Sequence, residues 1–327
     1  MAKGEIDLSV DLAPRHGHHL RLDNPVMIAS GTFGYDGYGR GIPADMDLGQ
    51  LGAVIPKTVT RWPREGNPEP RWYPSSYREG REVGECVYLN SIGLANPGIE
   101  DALSNLAPVW AHWNATIILS LSAGSVGEFG EMAAMTRGVP GFQALELNLS
   151  CPNIESGALF SHSAELTGAA VEAVRCNSEL PILVKLAPNI PDISPIAQSA
   201  AQAGADALTI SNTIPAMTID VTSRTPVLGA ITGGLSGPGL LPVSLALVYQ
   251  AVQVVDLPII GVGGIFSAED ALQYFLAGAT AVQIGSANLA DLWAPVNILR
   301  QLEGFLREEG AGNLKEIIGA AQVKAPV

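Results

Sequence analysis

Five apolar runs in this sequence end on side chains that can donate a hydrogen bond or carry charge: Ser30 with Gly31, Lys57, Asn148, Lys185, and Ser211 with Asn212 and Thr213. Two later runs end in glycines, Gly261, Gly263 and Gly264 in one and Gly285 followed by Ser286 in the other. A single lysine after a strand is ordinarily a solvated end, but two lysines gathered with several amides make a site for an anion and a polar heteroaromatic ring. GVGG alone fits a tight turn. Paired with IGSA, it lets backbone N–H groups approach a phosphate, here one carried by a cofactor. In LELNLSCPN, Asn148 closes a run, Cys151 sits in a turn fixed by Pro152, and Asn153 follows. A thiol there, with an ordinary pKa of about 8.5, can be tuned to act as a base. Cys176, in the helix-like VEAVRCN, and Cys86 read as small buried hydrophobes. His16, His18 and His19 crowd an N-terminal segment and His112 and His162 lie away from the run ends, so no histidine is assigned a role.

These residues fall on one rim only if the runs are strands of a closed barrel. Eight runs rich in Val, Ile and Leu, at 25–30, 53–57, 116–121, 144–148, 182–185, 207–211, 258–261 and 281–284, alternate with helical stretches. That is the pattern of a parallel sheet covered on both faces, and eight such units close a (β/α)8 TIM barrel whose active site lies at the strand C-termini. AAQAGADALTIS and YFLAGATAVQIG share a helix end, an Ala-Gly-Ala turn and an apolar strand, which supports successive βα units. In PIIGVGGIFSAED, Ser267 and Asp270 have capping-box spacing for the helix that follows the glycines. Two excursions are too long for ordinary connections: residues 58–115, with the Pro- and Arg-rich RWPREGNPEPRWYPSSYREGREVGE, and residues 212–238, with turn or hairpin spacing. Both are read as insertions over the C-terminal mouth.

Composition bounds the rest. Of 327 residues, 47% are hydrophobic and 15% charged, with 36 Gly and 23 Pro spread throughout, as in a chain that buries a large core. No linker divides it, so residues 1–327 are read as one domain. The mean hydropathy of +0.24 comes without any run of about 20 apolar residues, so no membrane span is expected. The start lacks a signal-peptide pattern, and a cytoplasmic location follows. A net charge of −14, from 18 Lys+Arg against 32 Asp+Glu, repels nucleic acid and anionic lipid. Three cysteines without CxxC or Cys/His ligand spacing argue against a disulfide framework and a metal site.

Read in order, NPVMIASGTFG, PKTVT, REGNPEPR, NSIGLANPG, LNLSCPN, VKLAPN, SNT, TGGLSGPGLLPVSL, GVGGI and IGSA resemble the class 1 dihydroorotate dehydrogenases over nearly the whole chain. REGNP and GGLSGP look like the B type. The resemblance implies FMN at the barrel mouth, oxidising dihydroorotate to orotate in pyrimidine biosynthesis. It places the cofactor among Ser30, Gly31, Lys57, Asn148, Lys185, Ser211, Gly237, Gly263, Gly264, Gly285 and Ser286. Substrate would meet Lys57, Asn90, Ile92, Gly93, Leu94, Asn148, Asn153, Asn212 and Thr213. Cys151 would take the C5 proton as the C6 hydride goes to flavin N5, with Lys57 stabilising the negative charge that develops. The B type further implies a homodimer that pairs with an electron-transfer subunit into a heterotetramer. FAD and a 2Fe-2S cluster would reside on that partner, which passes electrons to NAD; this chain has neither a dinucleotide fingerprint nor a four-cysteine motif.

Three departures stand out. Leu121 in SLSAGS occupies the place of an asparagine that contacts flavin in B-type relatives. REVGECVYLN, residues 81–90, is longer than its counterpart and carries Cys86. The loop after Cys151 reads IESGALFSHSAEL where relatives have more glycine. Other readings are a fumarate-dependent class 1 enzyme, a relative acting on another pyrimidine, and a ligand-binding barrel without redox turnover.

Overall fold

The computed structural model describes residues 6–82, 84–150 and 159–321. Eight parallel strands appear where the apolar runs fall: β1 (Val26–Ile28), β2 (Ala53–Val54), β3 (Ile118–Leu121), β4 (Ala144–Asn148), β5 (Ile182–Leu186), β6 (Ala207–Ile210), β7 (Ile259–Val262) and β8 (Ala281–Ile284). They pair in the order β2-β1-β8-β7-β6-β5-β4-β3. Parallel bridges Val54–Ile117 and Val59–Leu121 join the two ends of that order and close the barrel. Every strand residue is buried except the half-buried Asn148, as expected where helices cover one face and the barrel interior fills the other.

Helices α1 (Val126–Met135), α2 (Ala164–Arg175), α3 (Ser194–Gln202), α4 (Leu241–Val252), α5 (Ala268–Ala277) and α6 (Ala294–Glu309) include those that follow β3 to β8. The Ser267–Asp270 capping box starts α5: Asp270 N–H donates to Ser267 Oγ at 3.2 Å, and Ser267 N–H donates to Asp270 Oδ2 at 2.9 Å. Gly278 ends that helix at φ 110°.

The two long excursions meet in a single four-stranded antiparallel sheet over the mouth, ordered Ile214–Ala216, Gly233–Ser236, Tyr88–Asn90, Trp72–Tyr73. The turn spacing of the second excursion matches its strands, whereas its pairing with the first has no local signal in the sequence, because the contact spans more than a hundred residues. Under this sheet Tyr77 stacks on Tyr88 with centroids 4.5 Å apart, and Trp72 meets Tyr77 edge-on at 5.3 Å, giving a small second core.

Cys86 and Cys176 correct the sequence reading: both are exposed. Cys176 terminates α2, where its N–H bonds Glu172 O, and Cys86 lies in the turn before Tyr88, so neither reaches a core. No helix among the described residues is long and apolar enough to cross a membrane.

Candidate active site

The closing seam of the barrel is irregular, and it shapes the site. Between its two bridges, five residue steps on the β2 side are matched by four on β3, so one residue is extra. In a regular strand consecutive side chains point to opposite faces; a bulge re-aims them. Lys57 and Thr58, adjacent in sequence, both line the cavity at the strand C-termini. Lys57 N–H donates to Gly37 O at 2.9 Å, and a Cβ on Gly37 would lie 2.8 Å from Lys57 Cβ, so the loop after β1 clamps the lysine stem. Burial, and secondarily the Arg71 charge, push the Lys57 ammonium below its ordinary pKa of 10.5, against an opposing pull from Asp36.

The cavity has a volume of about 460 Å³, within the range of cofactor pockets. It gathers Ser30, Gly31, Lys57, Asn90, Ile92, Gly93, Leu94, Asn148, Lys185, Ser211, Asn212, Thr213, Gly263, Gly264, Gly285 and Ser286 from the sequence reading. Gly237 is not on its wall; at φ 94° it packs against Tyr88 and the Cys86 carbonyl, behind the lid sheet. Cys151 and Asn153 lie outside the described residues.

Hydroxyls and amides on the floor hold one another in place. Thr58 Oγ1 lies 3.1 Å from Ser30 Oγ and 2.8 Å from Ser120 Oγ, and accepts from Asn148 Nδ2 at 3.3 Å. Asn212 Nδ2 donates to Asn148 Oδ1 at 3.2 Å and to Ser150 Oγ at 2.7 Å, which anchors the residue just before Cys151. Leu121 is fully buried and off the cavity wall, while its strand neighbours Ser120 and Ser122 bond to Thr58 and to the Asn148 carbonyl.

The lid side is held by a conformational constraint. Asn67, which closes no apolar run, donates from Nδ2 to Ser91 Oγ at 2.9 Å and from its backbone N–H to Ile92 O at 3.1 Å. It approaches so closely that a Cβ on Gly93, at φ 70°, would lie 2.5 Å from Asn67 Oδ1. Leu94 follows at φ 53°, a left-handed conformation that costs a side-chain-bearing residue about 1–2 kcal/mol. Such a turn is held only where its surroundings over-determine it. Thr58, Ser150, Trp72, Tyr77 and Ser236 also line the cavity without having been read from sequence.

One corner is built for an anion. Gly263 and Gly264, at φ 129° and 71°, follow β7, and Gly285 and Ser286 follow β8. The N–H groups of Gly263, Gly264 and Gly285 bond no described residue. A Cβ on Gly285 would meet only Ala29 Cβ, at 3.6 Å, so that backbone faces open space. Amides without a partner among the described residues, two lysines and a ring of asparagines fit a phosphate joined to a polar ring system.

A closed barrel of eight βα units with a polar cavity over its strand C-termini has the architecture of the TIM-barrel enzymes. The chain belongs to the dihydroorotate dehydrogenase family: residues 15–306 match the family described as "Dihydroorotate dehydrogenase". It is 44% identical over 303 residues to "Dihydroorotate dehydrogenase B (NAD(+)), catalytic subunit" of Desulforudis audaxviator, covering 92% of this chain and 95% of that one. The proteins of the same description from Desulforamulus reducens and Geotalea uraniireducens are 42% and 40% identical, covering 97% of this chain and 100% and 99% of theirs. The family implies an oxidoreductase with a flavin cofactor.

Proposed function

We propose that this chain is the FMN-bearing catalytic subunit of a B-type dihydroorotate dehydrogenase. It oxidises dihydroorotate to orotate in the cytoplasm, for pyrimidine biosynthesis. The whole chain acts as one barrel domain, forms a homodimer, and pairs with a subunit that holds FAD and a 2Fe-2S cluster and delivers electrons to NAD. The observation that carries this reading is the convergence of Lys57, Lys185 and four asparagines, Asn67, Asn90, Asn148 and Asn212, on a cavity with unpaired glycine amides at one end.

FMN, when bound, supplies the hydride acceptor. The amides of Gly263, Gly264 and Gly285, with Ser286, would hold its phosphate. Lys57 and Lys185, which line the cavity, would supply positive charge to stabilise the negative charge that a flavin gains on reduction. Asn90, Asn148, Asn153, Asn212 and Thr213 offer the donors and acceptors that a ureide and a carboxylate require. Asn212 is fixed in place because its amide nitrogen is committed to Asn148 and Ser150 while its Oδ1 accepts from Thr213 N–H at 2.8 Å, which leaves one Oδ1 lone pair to accept from substrate. Cys151, as thiolate, takes the substrate proton.

Lys57 gives a pH signature. Its folded pKa is depressed, so at neutral pH the buried ammonium costs stability, and an anion placed beside it is favoured only while the proton remains. Orotate affinity should therefore fall as pH rises through the alkaline range below 10.5, and Lys57→Met should weaken that dependence, leaving only the part due to ionisation of Cys151. Isothermal titration across pH 7 to about 10 checks it; the same slope in both proteins would remove Lys57 from the anion site.

The electron route is tested by reoxidation. The dihydroorotate-reduced chain, purified alone, should return electrons to an artificial dye but not to NAD or fumarate. Rapid NAD reduction by this chain alone would contradict the need for a partner, and fumarate turnover would move the protein to another branch of the family.

A further inference from the structure

Barrel interiors are ordinarily packed with branched apolar side chains, yet one layer below this cavity holds a carboxylate. Glu146 lies two residues before Asn148 on β4, so both side chains point inward, and it is fully buried. Its Oε2 accepts from Thr209 Oγ1 on β6 at 3.0 Å and from Gln283 Nε2 on β8 at 2.6 Å. Those bonds fix the Gln283 amide so that its Oε1 accepts from Lys185 Nζ on β5 at 3.0 Å. Glu146 Oε1 has no hydrogen-bond partner among the described residues and stands 3.8 Å from the same ammonium. Lys185 in turn lines the cavity.

A buried ion pair of this kind contributes little to stability over well-packed apolar residues, so its presence calls for another role. We infer that Glu146 is a positioning residue: acting through Gln283 and by its own charge, it restrains the Lys185 ammonium at the cavity floor and sets how electron-poor the bound flavin becomes. The inference rests on the FMN reading above. Gln283 holds the ammonium off the carboxylate and toward the cavity, and Glu146 limits how much of its charge is felt there. Removing either partner should therefore shift the flavin in opposite directions.

Sulfite, which adds reversibly to electron-poor flavins and bleaches them, reports this without turnover. In the FMN-loaded chain, Glu146→Gln keeps an acceptor for Thr209 and Gln283 but deletes the charge. It should tighten sulfite binding about tenfold, the scale of one unit charge acting over roughly a dozen ångströms in a protein interior. Gln283→Met lets Lys185 close on Glu146 Oε1 and should loosen sulfite binding by a similar factor. In a Lys185→Met background the effect of Glu146→Gln should shrink, because only the direct field of its charge remains and there is no cation left to restrain. Sulfite affinities within twofold of wild type in both single variants, a shift of the same sign in both, or an undiminished Glu146→Gln effect without Lys185 would each overturn the inference. If Glu146→Gln fails to fold, Gln283→Met alone decides it through the sign of its shift. A wild-type chain that takes up no FMN would refute the flavin reading and this inference together, whereas a sulfite-reactive wild type with unresponsive variants refutes only this one.

Discussion

Replacing Cys151 with serine should slow reduction of the bound flavin by dihydroorotate about a thousandfold at neutral pH, within the 10²–10⁴ range of a positioned general base, while FMN content stays unchanged. A thiol with an ordinary pKa of about 8.5 supplies some thiolate at pH 7, and a serine hydroxyl supplies almost no alkoxide. The wild-type rate should rise with pH up to the thiol's pKa and then level, whereas the variant should show no such plateau. Its setting supports the assignment: Ser150, the residue before it, is tied by Asn212, which also holds Asn148. Stopped-flow reduction under anaerobic conditions reads the rate directly. An unchanged rate with full FMN occupancy would remove Cys151 from the chemistry.

The second large effect concerns the anion corner. Gly285→Val should lower FMN affinity at least a hundredfold and leave the thermal midpoint of the FMN-free chain almost unchanged. The two outcomes separate because an added Cβ meets only Ala29 Cβ at 3.6 Å within the protein, so the rest of the valine side chain occupies the space assigned to the phosphate. Gly264→Ala makes the useful contrast. At φ 71°, with its Cβ 2.5 Å from the Leu241 nitrogen, that substitution disturbs the loop itself and should lower both affinity and stability. Fluorescence titration with FMN and differential scanning calorimetry check the pair. Normal FMN affinity in Gly285→Val would place the phosphate elsewhere.

Much of this site was legible because barrel strands deliver their last inward residues to one rim. Asn148, Lys185 and Ser211 were found simply by asking what closes each apolar run, and the glycines after β7 and β8 followed from the same rule. Thr58 was not legible: period-two alternation turns it away from the cavity if Lys57 faces in, and only the extra residue at the β2–β3 seam puts both on the wall. Asn67 and the lid sheet were hidden for a different reason. Their placement depends on pairing between segments far apart in sequence, which no local pattern encodes. Glu146 escaped a reading confined to strand ends, although a charged residue inside an apolar run was visible as an anomaly. Leu121, read as standing where relatives have an asparagine, is off the cavity wall, and beside it Ser120 bonds to Thr58 and Ser122 to the Asn148 carbonyl.

An anaerobic titration of the purified, FMN-loaded chain with L-dihydroorotate, followed by flavin absorbance, tests the assigned reaction most directly. The site described here predicts stoichiometric bleaching of the yellow band with formation of one orotate per flavin. A fully flavin-loaded sample that stays yellow at saturating dihydroorotate would contradict it.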